Sequence, residues 1–344
     1  MYEKPVPAAR QCTSVAVVIC AYADDRRDDL IASVDSVLAQ RCPVQEIVVV
    51  IDGNPGLYEW ASRRWEPTGA GGPQVTVTEN RRSRGLCGAR NTGADTTGCD
   101  VVAFLDDDAF ADRDWAERLV AAYEDGDVVA TGGAALPVFE VGAPGWWPAE
   151  FHWVVGCSYR GLPGRAADVR NVIGCNMSVR KAAWRTVGGF SEEIGRVGAA
   201  RPGAEDDETD LCIRLRLERP DGRIVYDPTA VVHHRVPARR LSWDYFWRRC
   251  WSEGLGKAVL AGRVGGARAL ASERSYVRAT LPRGVLRGLG HALGGDGDGL
   301  RVAGAIAAGF CVTAGGYVTG RARVRSFGSK RSLSPSAAVP PARS

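Results

Sequence analysis

Three short apolar runs, each followed within a few residues by aspartate, constrain this chain most. They are Val15-Ala-Val-Val-Ile-Cys20 before Asp24, Glu46 to Ile51 before Asp52, and Val101-Val-Ala-Phe-Leu105 running straight into Asp106-Asp107-Asp108. Unbroken runs this short read as strands buried on both faces. Asp28 to Gln40 lies between the first two, with Leu30, Ile31, Val34, Val37 and Leu38 at helical spacing. Val75 to Thr78 adds a strand candidate and Gly88 to Thr96 a helix. Strands alternating with helices imply an α/β fold around a mainly parallel sheet, with ligands gathering at the carboxyl ends of the strands. Asp24, Asp52 and Asp106–Asp108 all sit at such ends, so one ligand would meet all three.

Downstream the pattern loosens. Asp52-Gly53-Asn54-Pro55 is turn chemistry, and Gly69 to Pro73 a surface loop. Gly142 to Pro163 is rich in Trp, Gly and Pro, with Trp146, Trp147 and Trp153. Asn171 to Val179 reads as a strand, then a helix runs to Val187 and a turn at Gly188-Gly189. Glu205-Asp-Asp-Glu208 opens a helix, since acids in a first turn suit the helix dipole. Arg223 to Tyr226 and Ala230 to His234 read as two closing strands. Leu241 to Leu260 is amphipathic and dense in Trp and Arg. Gly288 to Gly299 is a Gly-rich break, and Val302 to Thr319 is uncharged, just within membrane-spanning length but weakly apolar. The expected organisation is an extension over residues 1–12, a catalytic domain over 13–235, a basic helical extension over 236–320 and a disordered basic tail over 321–344.

The balance of 45% apolar and 24% charged residues is that of a globular protein. The ten cysteines are scattered with no CxxC pair, and Met1 to Arg10 has no apolar core. The expectation is therefore a reducing cytoplasm, free thiols and no secretory leader. Net charge is +4, but residues from Val236 onward carry 18 Lys/Arg against 5 Asp/Glu, leaving −9 for the front. An acidic front suits a metal-binding catalytic domain. A basic rear suits an anionic surface such as the inner face of a membrane or a lipid diphosphate. Nucleic acid is not expected, because no recognisable nucleic-acid module is present.

Asp106 and Asp108 supply the clustered oxygens a hard divalent cation requires; an acidic turn capping a helix from Asp112 is the plainer alternative. Asp207 and Glu208 raise one another's pKa, as a general base needs, although acids at a helix start also serve as caps. His233-His234 ends the last strand, where a histidine can be structural or a further metal ligand. Arg248 and Arg249, beside Trp251, can brace an anion or form a basic surface helix. Trp146 and Trp147 can stack on a sugar or sit buried.

Val17-Val-Ile-Cys-Ala-Tyr22, Ile47-Val-Val-Val-Ile-Asp-Gly53, Gly88-Ala-Arg-Asn-Thr-Gly93 and Val102-Ala-Phe-Leu-Asp-Asp-Asp108 resemble, in order, the family 2 glycosyltransferases. Gly174-Cys-Asn-Met-Ser178, Gly188-Gly-Phe190, Asp207-Glu-Thr-Asp-Leu-Cys-Ile-Arg214 and His234 continue the match, which covers about residues 15 to 235. The resemblance implies a Rossmann-like GT-A fold with a C-terminal helical extension. It also implies inverting transfer from a nucleotide-sugar donor, commonly a UDP-sugar, to a saccharide or lipid-linked hydroxyl in cell-surface polysaccharide or glycolipid synthesis. It assigns Ala21, Tyr22, Asp24, Asp52, Arg84, Arg90, Asn91, Asp106 and Asp107 to the nucleotide side, and Mg²⁺ or Mn²⁺ to Asp106, Asp108 and His234. Asp207 and Glu208 take the base position, in an order that departs from the usual Glu-Asp pair. Trp146, Trp147, Asn176, Arg248 and Arg249 are candidates for acceptor or diphosphate. A nucleotidyltransferase would open with a Gly-rich basic loop where Ala21-Tyr-Ala-Asp-Asp25 stands. A processive synthase would carry several long spans, and a non-catalytic sugar binder would not need every acid.

Overall fold

The computed structural model describes residues 13–66, 72–192, 207–264 and 271–331. The expected extension over residues 1–12, the loop at 69–71, Glu205-Asp206 and residues 332–344 lie outside the described residues.

The apolar runs form strands β1 (Val15–Ala21), β2 (Glu46–Ile51), β3 (Gln74–Glu79) and β4 (Val101–Asp106). All four pair in parallel in the order β3-β2-β1-β4. Alternation along each strand feeds two cores. Val17, Ile19, Ala103 and Leu105 face one way, with α1 (Arg27–Leu38), α2 (Pro55–Arg64) and α4 (Trp115–Ala121). Val18, Val102 and Phe104 face the other, with α3 (Leu86–Thr96), α5 (Lys181–Thr186) and α6 (Asp207–Glu218). Helix α2 starts where the turn chemistry lies: Asn54 accepts from the Leu57 N–H and Pro55 occupies the first turn. Gly93 lets α3 reach the sheet, since a Cβ there would lie 2.3 Å from Val18 Cγ1.

Beyond β4 the sheet turns mixed. The short β5 (Ala109–Ala111), long β6 (Val128–Phe139), two-residue β7 (Ala167–Asp168), β8 (Asn176–Arg180) and β9 (Arg223–Val236) complete it. β8 pairs antiparallel with β4 and β6, β9 runs parallel to β6, and β5 and β7 pair antiparallel with β9. The two closing strands expected after Arg223 are one strand, because β6 follows it across a register shift at Gly133/Ala134. The expected strand from Asn171 starts only at Asn176.

Asn176, an acceptor or diphosphate candidate from sequence, belongs to that irregularity. It is fully buried, and its Nδ2 donates to Ala134 O (2.8 Å) and Ala230 O (2.9 Å), two carbonyls beside the register shift. Its Oδ1 accepts from Trp115 Nε1 at 2.8 Å. Gly133 permits the approach, since a Cβ there would lie 1.8 Å from Ala230 O.

The rear of the chain is helical: α7 (Trp243–Val264), α8 (Ala271–Ser275), a π turn, α9 (Leu281–Leu293) and α10 (Gly297–Arg331). The Gly-rich break narrows to 294–296, and Val302–Thr319 lies inside α10, which carries the first part of the expected tail as helix. A third core joins these helices to the 3₁₀ segment Ala149–Val155. Trp146 and Trp147 belong to it: Trp146 stacks on Trp243 with ring centroids 3.7 Å apart, and Trp147 packs edge-on against Phe246.

Asn176→Leu is expected to strand two carbonyls and one indole N–H, lowering unfolding free energy by roughly 3 kcal/mol or more. Urea denaturation measures it, and a loss under about 1 kcal/mol would contradict the role given to this side chain.

Candidate active site

The β5–β9 register builds the centre of the site. Ala109 sits opposite His234 and Phe110 opposite His233. Alternation then sends only one histidine inward. His234 Nε2 lies 3.2 Å from Asp108 Oδ1, whereas His233 stacks on Phe110 and bonds Asp112. With Asp112 so engaged and β5 intervening before α4, the acidic turn is not the cap of a following helix.

Asp106, Asp108 and His234 offer ligand atoms that all lie within 4.8 Å of one another. Arg26 Nη1 reaches Asp107 Oδ1 (2.9 Å) and Asp108 Oδ2 (3.2 Å), and Arg240 Nη2 lies 3.6 Å from Asp108 Oδ2. Burial and the neighbouring Asp108 raise the Asp107 carboxyl to about 7, against the opposing pull of Arg26. Burial also works to raise Asp108, but His234, Arg26 and Arg240 outweigh it and hold Asp108 below the usual carboxylate range. Burial opposes charge on His234, and Asp108 overcomes that and lifts it to about 10. Cys157 Sγ sits 3.7 Å from the other ring nitrogen, Nδ1. Two carboxylates and one imidazole fit a hard or borderline divalent cation. Asp107 Oδ2, buried with no hydrogen-bond partner among the described residues, is a further oxygen in want of a donor or cation.

Arg90 ties this cluster to the start of α6. Its Nη1 donates to Asp207 Oδ2 (3.0 Å), and its Nη2 donates to Asp106 Oδ1 (3.0 Å) and Gly174 O (3.1 Å). Asp207 is thereby paired with Arg90. Burial raises the adjacent Glu208 well above its ordinary value, and Asp207 adds to the rise. The two acids expected to share one role therefore have different surroundings.

A cavity of about 1840 Å³ opens from this centre. Its strand-end wall carries Ala21, Tyr22, Asp52, Arg84, Arg90, Asp106–Asp108, Asp207, Glu208 and His234, and its far wall carries Arg248 and Arg249. Asp52 also holds the turn before α3, accepting from Asn80 Nδ2 (2.7 Å) and the Gly85 N–H (2.8 Å). Five sequence candidates lie off the wall. Asp24 is exposed and bound to Asn54 and Arg27. Asn91 is buried, exchanging hydrogen bonds with the Phe190 backbone. Asn176, Trp146 and Trp147 are in the packing already described. Sequence reasoning missed Arg26 and Arg240, although both follow strand ends by a few residues. It also missed a group on the far wall, where Lys257 Nζ (2.9 Å) and Arg170 Nη1 (2.8 Å) flank Glu273. Burial would raise Glu273, but these cations lower it to about 2.

A mixed α/β sheet flanked by helices, with an acidic cluster at its strand ends and a large adjoining cavity, is the GT-A architecture. The family model described as glycosyl transferase family 2 matches residues 16–188, and the chain belongs to that family. It is 35% identical over 247 residues to the glucosyl-dolichyl phosphate glucuronosyltransferase of Haloferax volcanii, a match spanning 72% of this chain and 77% of that protein. It is 27% identical over 168 residues to the succinoglycan biosynthesis protein ExoM of Rhizobium meliloti, covering 48% of this chain and 50% of that one. Among solved structures, a mannosyltransferase from Pyrobaculum calidifontis in complex with GDP-Man and Mn²⁺ superposes with a TM-score of 0.57 at 19% identity, over 97% of this chain and 85% of that chain. GalNAc-T7 with UDP, GalNAc and Mn²⁺ superposes at 0.51 and 16% identity, over 74% and 51%. Both share the GT-A fold.

Replacing Arg90 by Met would leave Asp106, Asp207 and a carbonyl without their buried donor. The expected cost is about 3–5 kcal/mol of unfolding free energy, read from denaturant midpoints. A cost under about 1 kcal/mol would mean Arg90 does not tie the two elements.

Proposed function

We propose that the enzyme transfers a glycosyl group from a nucleoside diphosphate sugar to a hydroxyl of a lipid-linked or saccharide acceptor, with inversion. One observation carries this reading: the Asp106–Asp108–His234 cluster and the Asp207–Glu208 pair, joined by Arg90, share one end of the cavity. The name of the haloarchaeal relative supplies the acceptor class, a glycosyl lipid phosphate. A UDP-sugar is the donor we favour. Residues 13–235 would form the catalytic unit and 236–320 the wall of the acceptor end.

In this mechanism Ala21, Tyr22, Asp52 and Arg84 hold the nucleotide against the ends of β1 and β2. Mn²⁺ or Mg²⁺ held by Asp106, Asp108 and His234 would supply positive charge beside the diphosphate. Arg26 and Arg240 add fixed cations on the same side. Glu208 is the base we favour over Asp207, whose Oδ2 is taken up by Arg90. Glu208 takes the proton of the acceptor hydroxyl. The oxygen then attacks the anomeric carbon from the face opposite the diphosphate, and the bond to the diphosphate breaks. A raised carboxyl pKa makes a stronger base, deprotonated only above the ordinary glutamate range.

Two outcomes follow for transfer assayed with a radiolabelled donor. Glu208→Gln should lower kcat by roughly 10²–10⁴-fold while nucleotide binding persists. The acid limb of kcat/KM should rise at a pH above the usual glutamate value of 4.5, because activity is lost as pH falls through the raised pKa. Full activity in Glu208→Gln would remove the base from this residue.

A further inference from the structure

The helical rear of the chain leaves an apolar face that the transfer chemistry does not use. On α9, Leu286, Leu289 and Leu293 are 67%, 39% and 92% exposed and fall on one stripe by their i, i+3, i+7 spacing. On α10, Leu300 and Val318 are 62% and 68% exposed, with Gly304, Ala307 and Cys311 exposed between them. No charged residue occurs from Val302 to Thr319, roughly 27 Å of helix at 1.5 Å per residue. Gly288 of α9 packs on Gly299 and Ala303 of α10. Counted at about 100° per residue from that contact, both stripes turn to the same side of the antiparallel pair.

The rim of this face is basic. From Glu273 to Arg323 there are seven arginines and three acids, of which Arg274 and Arg278 line the cavity and Arg287 pairs with Glu150. Arg283, Arg301 and Arg323 are exposed, with Arg301 paired to Asp298 at the turn.

We propose that α9 and α10 seat the protein in the plane of an anionic lipid bilayer, with the leucine stripe in the headgroup boundary and the arginines on lipid phosphate. An amphipathic helix with a basic flank is the known physical form of such binding. A contiguous apolar face is rare on a protein with no partner for it. Charge argues against a second copy, since a two-fold pairing would set one arginine rim against its equal. Packing argues against a spanning helix. α10 is pinned to α7 backbone to backbone, where a Cβ on Gly254 would lie 2.1 Å from Thr313 O and one on Gly316 2.4 Å from Trp251 O. Leu281 of α9 and Phe310 of α10 also line the cavity, so the lipid-facing side adjoins its far end. The inference stands on this surface alone and does not depend on the transfer reaction.

The test is flotation of the full chain with phosphatidylcholine vesicles, with and without phosphatidylglycerol. Binding should require the anionic lipid, weaken with salt and be released by a carbonate wash. Leu286→Glu/Leu293→Glu should weaken it about a hundredfold with an unchanged melting temperature. Should that variant unfold, Arg283→Glu/Arg323→Glu, on exposed positions, should abolish the preference for anionic vesicles. No flotation with any vesicle, retention after carbonate, or a leucine variant that alters only the monomer–dimer equilibrium without lipid would each overturn the proposal.

Discussion

The site depends on one buried guanidinium. Arg90 sits on α3 with almost no exposure, and it spans the gap between the last residue of β4 and the first described residue of α6. Three acids, Asp106, Asp207 and Glu208, would otherwise share a desolvated corner and repel one another. Burial disfavours the charge on Arg90, but Asp106, Asp207 and Glu208 together raise its pKa. A fork-shaped donor meets this demand because its two ends bond different elements while the group stays planar and charged. The Asp106–Asp108–His234 side and the Asp207–Glu208 side of the cavity are therefore coupled through a single side chain.

The parallel half of the sheet was legible because strands covered on both faces need unbroken apolar runs, and the aspartates follow where such runs end. The acidic cluster and His234 were legible for the same reason. β6 was not, since Ala130-Thr-Gly-Gly-Ala-Ala135 carries little β-branched or aromatic signal. Gly133 answers to the close approach of β9, and Gly132 to Val172 and the Asn176 carbonyl, which no local pattern reveals. Buried polar residues are hard to read from sequence: Asn91 and Asn176 stand in the motifs that carry the family resemblance, and in the structure each bonds backbone groups where elements meet irregularly. Trp146 and Trp147 similarly fill the third core. Arg26 and Arg240 escaped notice because a lone arginine in a loop has no period, and only tertiary structure brings both to Asp108.

The helical rear does more than cover the sheet. Its core, centred on Phe246 and Phe151, fixes α7 and α10 at the open side of the strand ends. The cavity thus has two unlike walls, acidic turns and loops on one side and aromatic, basic helices on the other. Glu273, Lys257 and Arg170 hold the far wall together by charge, as Arg90 holds the near one.

In the proposed reaction the Asp106–Asp108–His234 cluster binds a cation that in turn holds a nucleoside diphosphate. Titration calorimetry of UDP, GDP and dTDP with and without Mn²⁺ tests it most directly. One nucleotide should bind, Mn²⁺ should strengthen its binding, and Asp108→Asn should abolish the Mn²⁺ dependence in a folded protein. Binding indifferent to both Mn²⁺ and Asp108→Asn, or no binding of any of the three with Mn²⁺ present, would contradict it.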